Sequence, residues 1–331
     1  MDTSANTEKL FPARHTFVRN EALRNELHEG GYKVVGGLGK DVIEEINALY
    51  NSSHDLKETG MFYTLYSKDI AYRQRIFDSL NKILSAYYDE HLTDYKIAYN
   101  IFVVKNPGKE SEFFVHQDPS MVDEFKYSPL HIWLPLCDID ENNGALCLTP
   151  GTNHLYMPYR SVAFPNAFEK VNDLVRDYMM PVYMKAGEAI FFDPRVVHCS
   201  LPNFSDKTRV AVLTGVVPKE AEVIITHQEP DEATKIELIR QKDDFYIQAD
   251  DFYLTCKCRP ALGTLSQVVS YTPPVYSKED FLEFTKKKGL SPLNILPPSL
   301  NTECIMYGEP IQANNKYHSK NAPADVMLGH K

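Results

Sequence analysis

Apolar residues recur at helical spacing through the first part of the chain, and from about Lys96 they fall into short runs of strand length. The spacing predicts a short helix from Asn20 to Glu29, stopped by Gly30-Gly31. A second helix is predicted from Asp41, whose side chain caps while Glu44 returns the bond, with Ile43, Ile46, Leu49 and Tyr50 on one face. A third runs from about Asp69 to His91 on Ile76, Phe77, Leu80, Ile83, Leu84 and Tyr87.

Beyond Lys96 the turn dipeptides Pro107-Gly108, Asn143-Gly144 and Pro150-Gly151 separate segments rich in β-branched residues. Strands are expected at Ile97–Lys105, Phe113–His116, Leu130–Cys137, Ala145–Leu148, Val182–Lys185, Ala189–Phe192 and Arg209–Val216. So many short strands imply a sandwich or jelly roll decorated by helices, a β-rich α+β fold. A helical insertion is expected within Asn166–Tyr178, and Ser277 with Asp280 signals a helix that Gly289 stops. No repeat and no clean linker interrupts the chain. We read residues 1–331 as one domain: helices over about 1–95, a jelly-roll core over about 96–227, an extension and lid over about 228–312, and a loose tail over 313–331.

Composition narrows the function more than the fold. With 331 residues, the length admits one large β-rich unit or two smaller ones, and 43% hydrophobic with 24% charged residues suits a packed core. Lys and Arg number 35 against 45 Asp and Glu, a net charge of −10 without a basic block, so a nucleic-acid partner is not expected. No apolar run has the roughly 18 residues of a membrane span, and Met1 to Phe11 lacks the cationic start of a secretory signal. A cytoplasmic protein without a membrane partner is the expectation. The six cysteines, including the Cys256 and Cys258 pair, are read as reduced and structural. An aromatic content of 11% suits strand faces and an apolar pocket.

The chemistry concentrates at His116-Gln-Asp118 and at His198, 82 residues beyond His116. In an extended segment positions i and i+2 share a face, so His116 and Asp118 can reach one ion, with His198 expected from the opposite sheet. Two imidazoles and one carboxylate make the facial triad of non-haem Fe(II) oxygenases, which leaves positions open. Arg209 opens an apolar strand and needs a partner there. Two are open: a local carboxylate, Asp193 or Asp206, or the distal carboxylate of a dicarboxylate cosubstrate held by a bidentate fork.

Several further segments carry a resemblance. They are Val104-Lys-Asn-Pro-Gly108, Ile132-Trp-Leu-Pro-Leu136, Asn143-Gly-Ala-Leu146, Pro150-Gly-Thr-Asn-His154, Gly187-Glu-Ala-Ile-Phe-Phe-Asp193, His198-Cys-Ser200, Asn203-Phe-Ser205 and Arg209. Together with His116-Gln-Asp118, and in this order over about Gly60 to Pro218, they resemble the phytanoyl-CoA dioxygenase family of Fe(II)- and 2-oxoglutarate-dependent oxygenases. Met61 to Arg73 is similar to bacterial members.

That resemblance implies a double-stranded β-helix, the cupin-like jelly roll, with Fe(II) on His116, Asp118 and His198, and Arg209 holding 2-oxoglutarate. It places Trp133 near the cosubstrate or in the core, while Lys105 and Asn100 either line the same pocket or sit on an edge strand. His154 is read as a turn residue, and His131, on the same face as Trp133, as a core or pocket histidine. The implied reaction consumes O2 and 2-oxoglutarate, releases succinate and CO2, and oxidises an unactivated C–H bond of a small, natural-product or lipid-like molecule. Hydroxylation is expected, with desaturation or cyclisation as alternatives. Halogenating relatives lack the carboxylate that Asp118 supplies here. A non-catalytic small-molecule binder and a structural or sugar-binding sandwich are the readings from other classes. Substrate contacts are expected from the segments 117–129, 155–180 and 219–275, with Phe125, Tyr127, Tyr156, Tyr159, Phe164, Phe245, Tyr246, Phe252 and Tyr253 as wall or lid aromatics. The sequence leaves the oligomeric state open.

Overall fold

Two short polar side chains start the helical part. Asn20 accepts a hydrogen bond from the Leu23 N–H at 3.0 Å and begins α1 (Glu21–Glu29), and Asp69 does the same for the Tyr72 N–H at the start of α3 (Ile70–His91). Between them α2 spans Lys40–Ser53, one residue earlier than the cap reading placed it, so Asp41 lies inside the first turn. Just after α1, Gly31 has φ +82°, and a Cβ there would collide with the Val196 side chain. The computed structural model describes residues 15–53, 59–155, 157–229, 231–249, 259–300, 305–306 and 309–310. The tail 313–331, the Cys256 and Cys258 pair, and Tyr156, Phe252 and Tyr253 lie outside the described residues.

Ten strands form two antiparallel sheets. The larger runs β1 (Tyr32–Val35), β8 (Ala189–Phe192), β5 (Leu130–Pro135), β10 (Arg209–Pro218), β3 (Tyr95–Lys105), β2 (Met61–Tyr63). The smaller runs β4 (Phe113–His116), β9 (His198–Ser200), β6 (Leu146–Leu148), β7 (Met180–Val182). This is the double-stranded β-helix, with helices α1 to α3 on one side. Strand β7 pairs Val182 with Leu146 and therefore ends where the sequence pattern would begin it.

Alternation along the strands sorts the side chains into two layers. Leu130, Ile132 and Leu134 of β5, Val210 and Val212 of β10, and Phe102 and Val104 of β3 pack against Leu27, Ile46, Ile76, Leu80 and Leu84 of the helices. The residues between them in sequence, His131 and Trp133, Arg209 and Ala211, and Ile101, Val103 and Lys105, face the smaller sheet. Asn100 falls in the helix-facing layer. Its amide donates to the Tyr88 hydroxyl at 2.8 Å and to Asn81 at 3.0 Å, while its oxygen accepts from Thr214 at 3.1 Å. It sits opposite Thr214 on the last strand but one of the larger sheet and turns its back on the space between the sheets.

A third sheet of β11 (Ile224–His227), β12 (Lys235–Arg240) and β13 (Thr264–Ser270) follows the jelly roll. The chain adds short helices α4 (Asn172–Arg176) and α5 (Phe245–Gln248), then α6 (Lys278–Lys288), which carries the Ser277/Asp280 capping box and ends on Gly289 in the left-handed conformation. Among the described residues, no helix is long and apolar enough to cross a membrane.

Candidate active site

His116 ends β4 directly opposite His198 on β9, so the two imidazoles are cross-strand neighbours within the smaller sheet, with ring centroids 4.2 Å apart. The expectation that His198 comes from the opposite sheet is thereby corrected. The strand carrying it is only three residues long and follows a turn, too short to show a period. Asp118 lies two residues past the end of β4, where its own backbone is fixed on both sides. Its N–H donates to the Pro194 carbonyl at 2.9 Å, and its carbonyl accepts from Arg160 Nε at 2.6 Å. The carboxylate then stands 3.4 Å from Nε2 of each histidine. One ligand atom from each of the three residues falls within 4.8 Å of the others.

Hydrogen bonds behind the rings set which nitrogen faces inward. Nδ1 of His116 donates to the Phe114 carbonyl at 2.8 Å and Nδ1 of His198 to the Val196 carbonyl at 2.9 Å, leaving both Nε2 lone pairs toward Asp118. Burial, helped by the neighbouring His116, pushes His198 down to about 4, so its ring is neutral. Burial alone would raise the Asp118 carboxyl. His198, His131 and His116 around it more than offset that and hold it well below the usual carboxylate range. Two imidazole nitrogens and one carboxylate oxygen are a donor set for a borderline divalent ion.

Arg209 decides between the two partners left open by the sequence. Its side chain is buried, and of its donors only Nη2 has a partner, the Gly144 carbonyl at 3.4 Å; Nε and Nη1 have none. Asp193 is taken by Arg195, at 2.5 Å to Nη2 and 2.8 Å to Nε, and Asp206 is exposed. Among the described residues, Arg209 has no ion pair. Its guanidinium carbon lies 5.1 Å over the ring of Trp133, and burial lowers its pKa to about 10, which leaves it protonated at neutral pH. Lys105, opposite Arg209 in register, donates to Ser200 Oγ at 2.8 Å and to the Leu201 carbonyl at 2.5 Å. Burial and the Arg209 charge push its ammonium well below the usual lysine range. It lies behind the cavity wall and does not form part of it.

The triad, Trp133 and Arg209 open onto one cavity of about 970 Å³. Tyr159, Phe164 and Tyr246 of the expected aromatics line it, whereas Tyr127 and Phe245 pack in a hydrophobic cluster and Phe125 is exposed. Sequence reasoning missed Tyr63, Phe113 and Phe114, which also form the wall with Met157 of the expected segment 155–180. Phe113 and Phe114 adjoin His116 in sequence, which was the available signal; Tyr63 arrives on a three-residue edge strand that no period marks. Arg160, a second buried cation in the wall, is fully engaged, with two bonds to Glu124 at 2.8 and 2.7 Å and others to the Asp118 and Met157 carbonyls. His154 sits in a turn, its ring against His28 at 5.5 Å, outside the cavity.

A jelly roll that joins two histidines and an aspartate near a buried arginine, without an ion pair among the described residues, defines a candidate metal centre. The model of the phytanoyl-CoA dioxygenase family matches residues 21–211, and the chain belongs to that family. It is 29% identical over 125 residues to the Danio rerio "Phytanoyl-CoA dioxygenase domain-containing protein 1", an alignment that covers 34% of this chain and 42% of that protein. An Arabidopsis thaliana "Phytanoyl-CoA dioxygenase" is also 29% identical over 125 residues, covering 37% of this chain and 44% of that protein. The chain thus spans less than half the length of the curated relatives it matches. Among solved structures, the non-heme alpha-ketoglutarate-dependent carbocyclase SnoK from nogalamycin biosynthesis is 17% identical with a TM-score of 0.44, over 62% of this chain and 86% of that one. HygX from Streptomyces hygroscopicus, solved with nickel, 2-oxoglutarate and hygromycin B, is 13% identical with a TM-score of 0.44, over 65% and 92%.

Proposed function

We propose that the protein is an Fe(II)- and 2-oxoglutarate-dependent dioxygenase that hydroxylates an unactivated C–H bond of a small apolar molecule. The observation that carries the reading is Arg209, a buried guanidinium with two unpartnered donors on the wall of the cavity that holds the His116, Asp118 and His198 cluster. A buried charge without a partner is costly, and a dicarboxylate whose far end reached Arg209 would remove that cost. Bound there, Fe(II) with 2-oxoglutarate and O2 would supply the oxidant, releasing succinate and CO2. His116, Asp118 and His198 would hold the ion, and Trp133 would form the floor under the guanidinium. Lys105 supports the same corner through Ser200, which lines the cavity, and Asn100 has no place in this reading.

The rest of the cavity favours a substrate whose buried part is uncharged. Tyr66, Phe114, Met121, Tyr159, Phe164 and Ile225 supply apolar wall, and the charged Glu169, Lys170, Asp173 and Lys278 are exposed on its rim. Asp118 fills the position that a halide would need, so the product gains oxygen, not halogen. The test is succinate release that requires both Fe(II) and 2-oxoglutarate, followed by mass spectrometry of a metabolite extract incubated with the loaded protein. A product heavier by one oxygen supports hydroxylation; one lighter by two hydrogens would replace it with desaturation or ring closure. Tight 2-oxoglutarate binding without any turnover would indicate a binding protein.

A further inference from the structure

We infer that Tyr99 and His131 form a positioning relay that holds the Asp118 carboxylate in one rotation between the two metal-site histidines. The inference rests on the reading of Asp118 as a metal ligand. His131 Nδ1 lies 2.9 Å from Asp118 Oδ2, and the Tyr99 hydroxyl lies 2.7 Å from His131 Nε2. Both residues are buried.

The direction of each bond follows from its neighbours. An ionised carboxylate has no proton to give, so His131 Nδ1 carries the hydrogen and donates it to Oδ2. With Nδ1 turned to Asp118, Nε2 bonds the Tyr99 hydroxyl at 2.7 Å. Burial raises the Tyr99 pKa well above the ordinary phenol value, so the hydroxyl keeps its proton. With Oδ2 engaged by His131 and the Asp118 backbone tied to Pro194 and Arg160, the carboxylate is fixed with Oδ1 3.4 Å from His116 Nε2 and Oδ2 3.4 Å from His198 Nε2.

A glycine makes the relay possible. Strand β10 runs between β3 and β5, and its Gly215 lies opposite Tyr99 on one side and His131 on the other. A Cβ on Gly215 would stand 2.5–2.9 Å from three atoms of the Tyr99 ring, closer than carbon atoms pack. Only without that carbon can the Tyr99 ring lie across the intervening strand and reach His131. The same ring meets Tyr246 edge to face at 5.0 Å on the cavity wall, so the relay connects the wall to the metal ligand.

The experiment is titration with Co(II), whose visible absorption reports coordination geometry, on the full chain and on four variants whose folding is checked by thermal melting. Loss of Co(II) binding in His198→Ala establishes that the probe sits in the triad; if the wild-type chain binds no Co(II), or His198→Ala binds it equally well, the metal reading itself fails. Given binding, His131→Leu should weaken Co(II) by about 10- to 100-fold and change its spectrum. His131→Asn, whose amide can donate from the Nδ1 position, should recover most of both. Tyr99→Phe should fall between the wild type and His131→Leu. Unchanged affinity and spectrum in a folded His131→Leu protein would overturn the relay, as would an Asn variant no better than Leu.

Discussion

Replacing Arg209 by Met should weaken the cosubstrate and strengthen the empty protein, two effects of opposite sign from one side chain. In the free protein Nε and Nη1 are buried without partners. Each such donor costs about 1–3 kcal/mol, and the contact with Trp133 at 5.1 Å returns about 0.5–2 kcal/mol of that. Met fills similar space without the orphaned donors, so Arg209→Met should be more stable by about 1–3 kcal/mol, a rise of a few degrees in melting temperature for a chain of this size. Binding moves the other way. Two charge-assisted bonds at about 1.5–3 kcal/mol each are lost, which weakens 2-oxoglutarate by roughly two to four orders of magnitude. Trp133 is the sole tryptophan in the sequence and lies under the guanidinium, so its fluorescence reads binding directly, without turnover. Melting with and without 2-oxoglutarate supplies the second measurement, because a ligand that binds only the folded state raises the transition. A variant that melts lower than wild type in the absence of 2-oxoglutarate, or that binds 2-oxoglutarate as before, would refute the reasoning.

Three other outcomes are expected. His116→Ala and His198→Ala should each abolish coupled succinate production and lower bound iron, measured by metal analysis after desalting; full iron content in both would remove them from the metal site. The wild-type protein should yield no halogenated product in chloride or bromide buffer, and a halogen isotope pattern in the product mass spectrum would overturn the role given to Asp118. Arg176→Met should cost about 3–5 kcal/mol in denaturant unfolding, because it removes the 3.0 Å ion pair from the buried Glu112 carboxylate, which keeps its hydrogen bonds from Ser299 Oγ and the Leu300 N–H; a loss below about 1 kcal/mol would show that water reaches the pair.

Much of the architecture was legible in local pattern. The period-3.6 stripe of α3 and the caps at Asn20, Asp69 and Ser277 are short-range effects, decided within a few residues, and they appear where the sequence places them. The apolar strands Phe113–His116 and Ala189–Phe192 match residue for residue. Strand β13 escaped because its side chains are mostly exposed and carry no buried face to create a pattern, and β2 escaped because three residues are too few to show one.

At the candidate site the sequence determined which residue types are present and in what order: a His-x-Asp, a later histidine and an arginine opening an apolar strand. It determined through alternation that His131 shares a face with Trp133. Which face that is, and what waits across it, are long-range facts. Asn100 and Lys105, five residues apart on β3, lie on opposite faces because the strand period is two, so one bonds helix α3 and the other the smaller sheet. The pairing of β4 with β9 put His198 beside His116, and the register of β3, β10 and β5 lined up Tyr99, Gly215 and His131. Among the described residues, only the tertiary structure left Arg209 without a carboxylate: Asp193 is bound by Arg195 and Asp206 is exposed. Local hydrogen bonding and periodicity act over a few residues and can be read from the chain; a partner's absence depends on every segment packed around the group, and no stretch of sequence contains that.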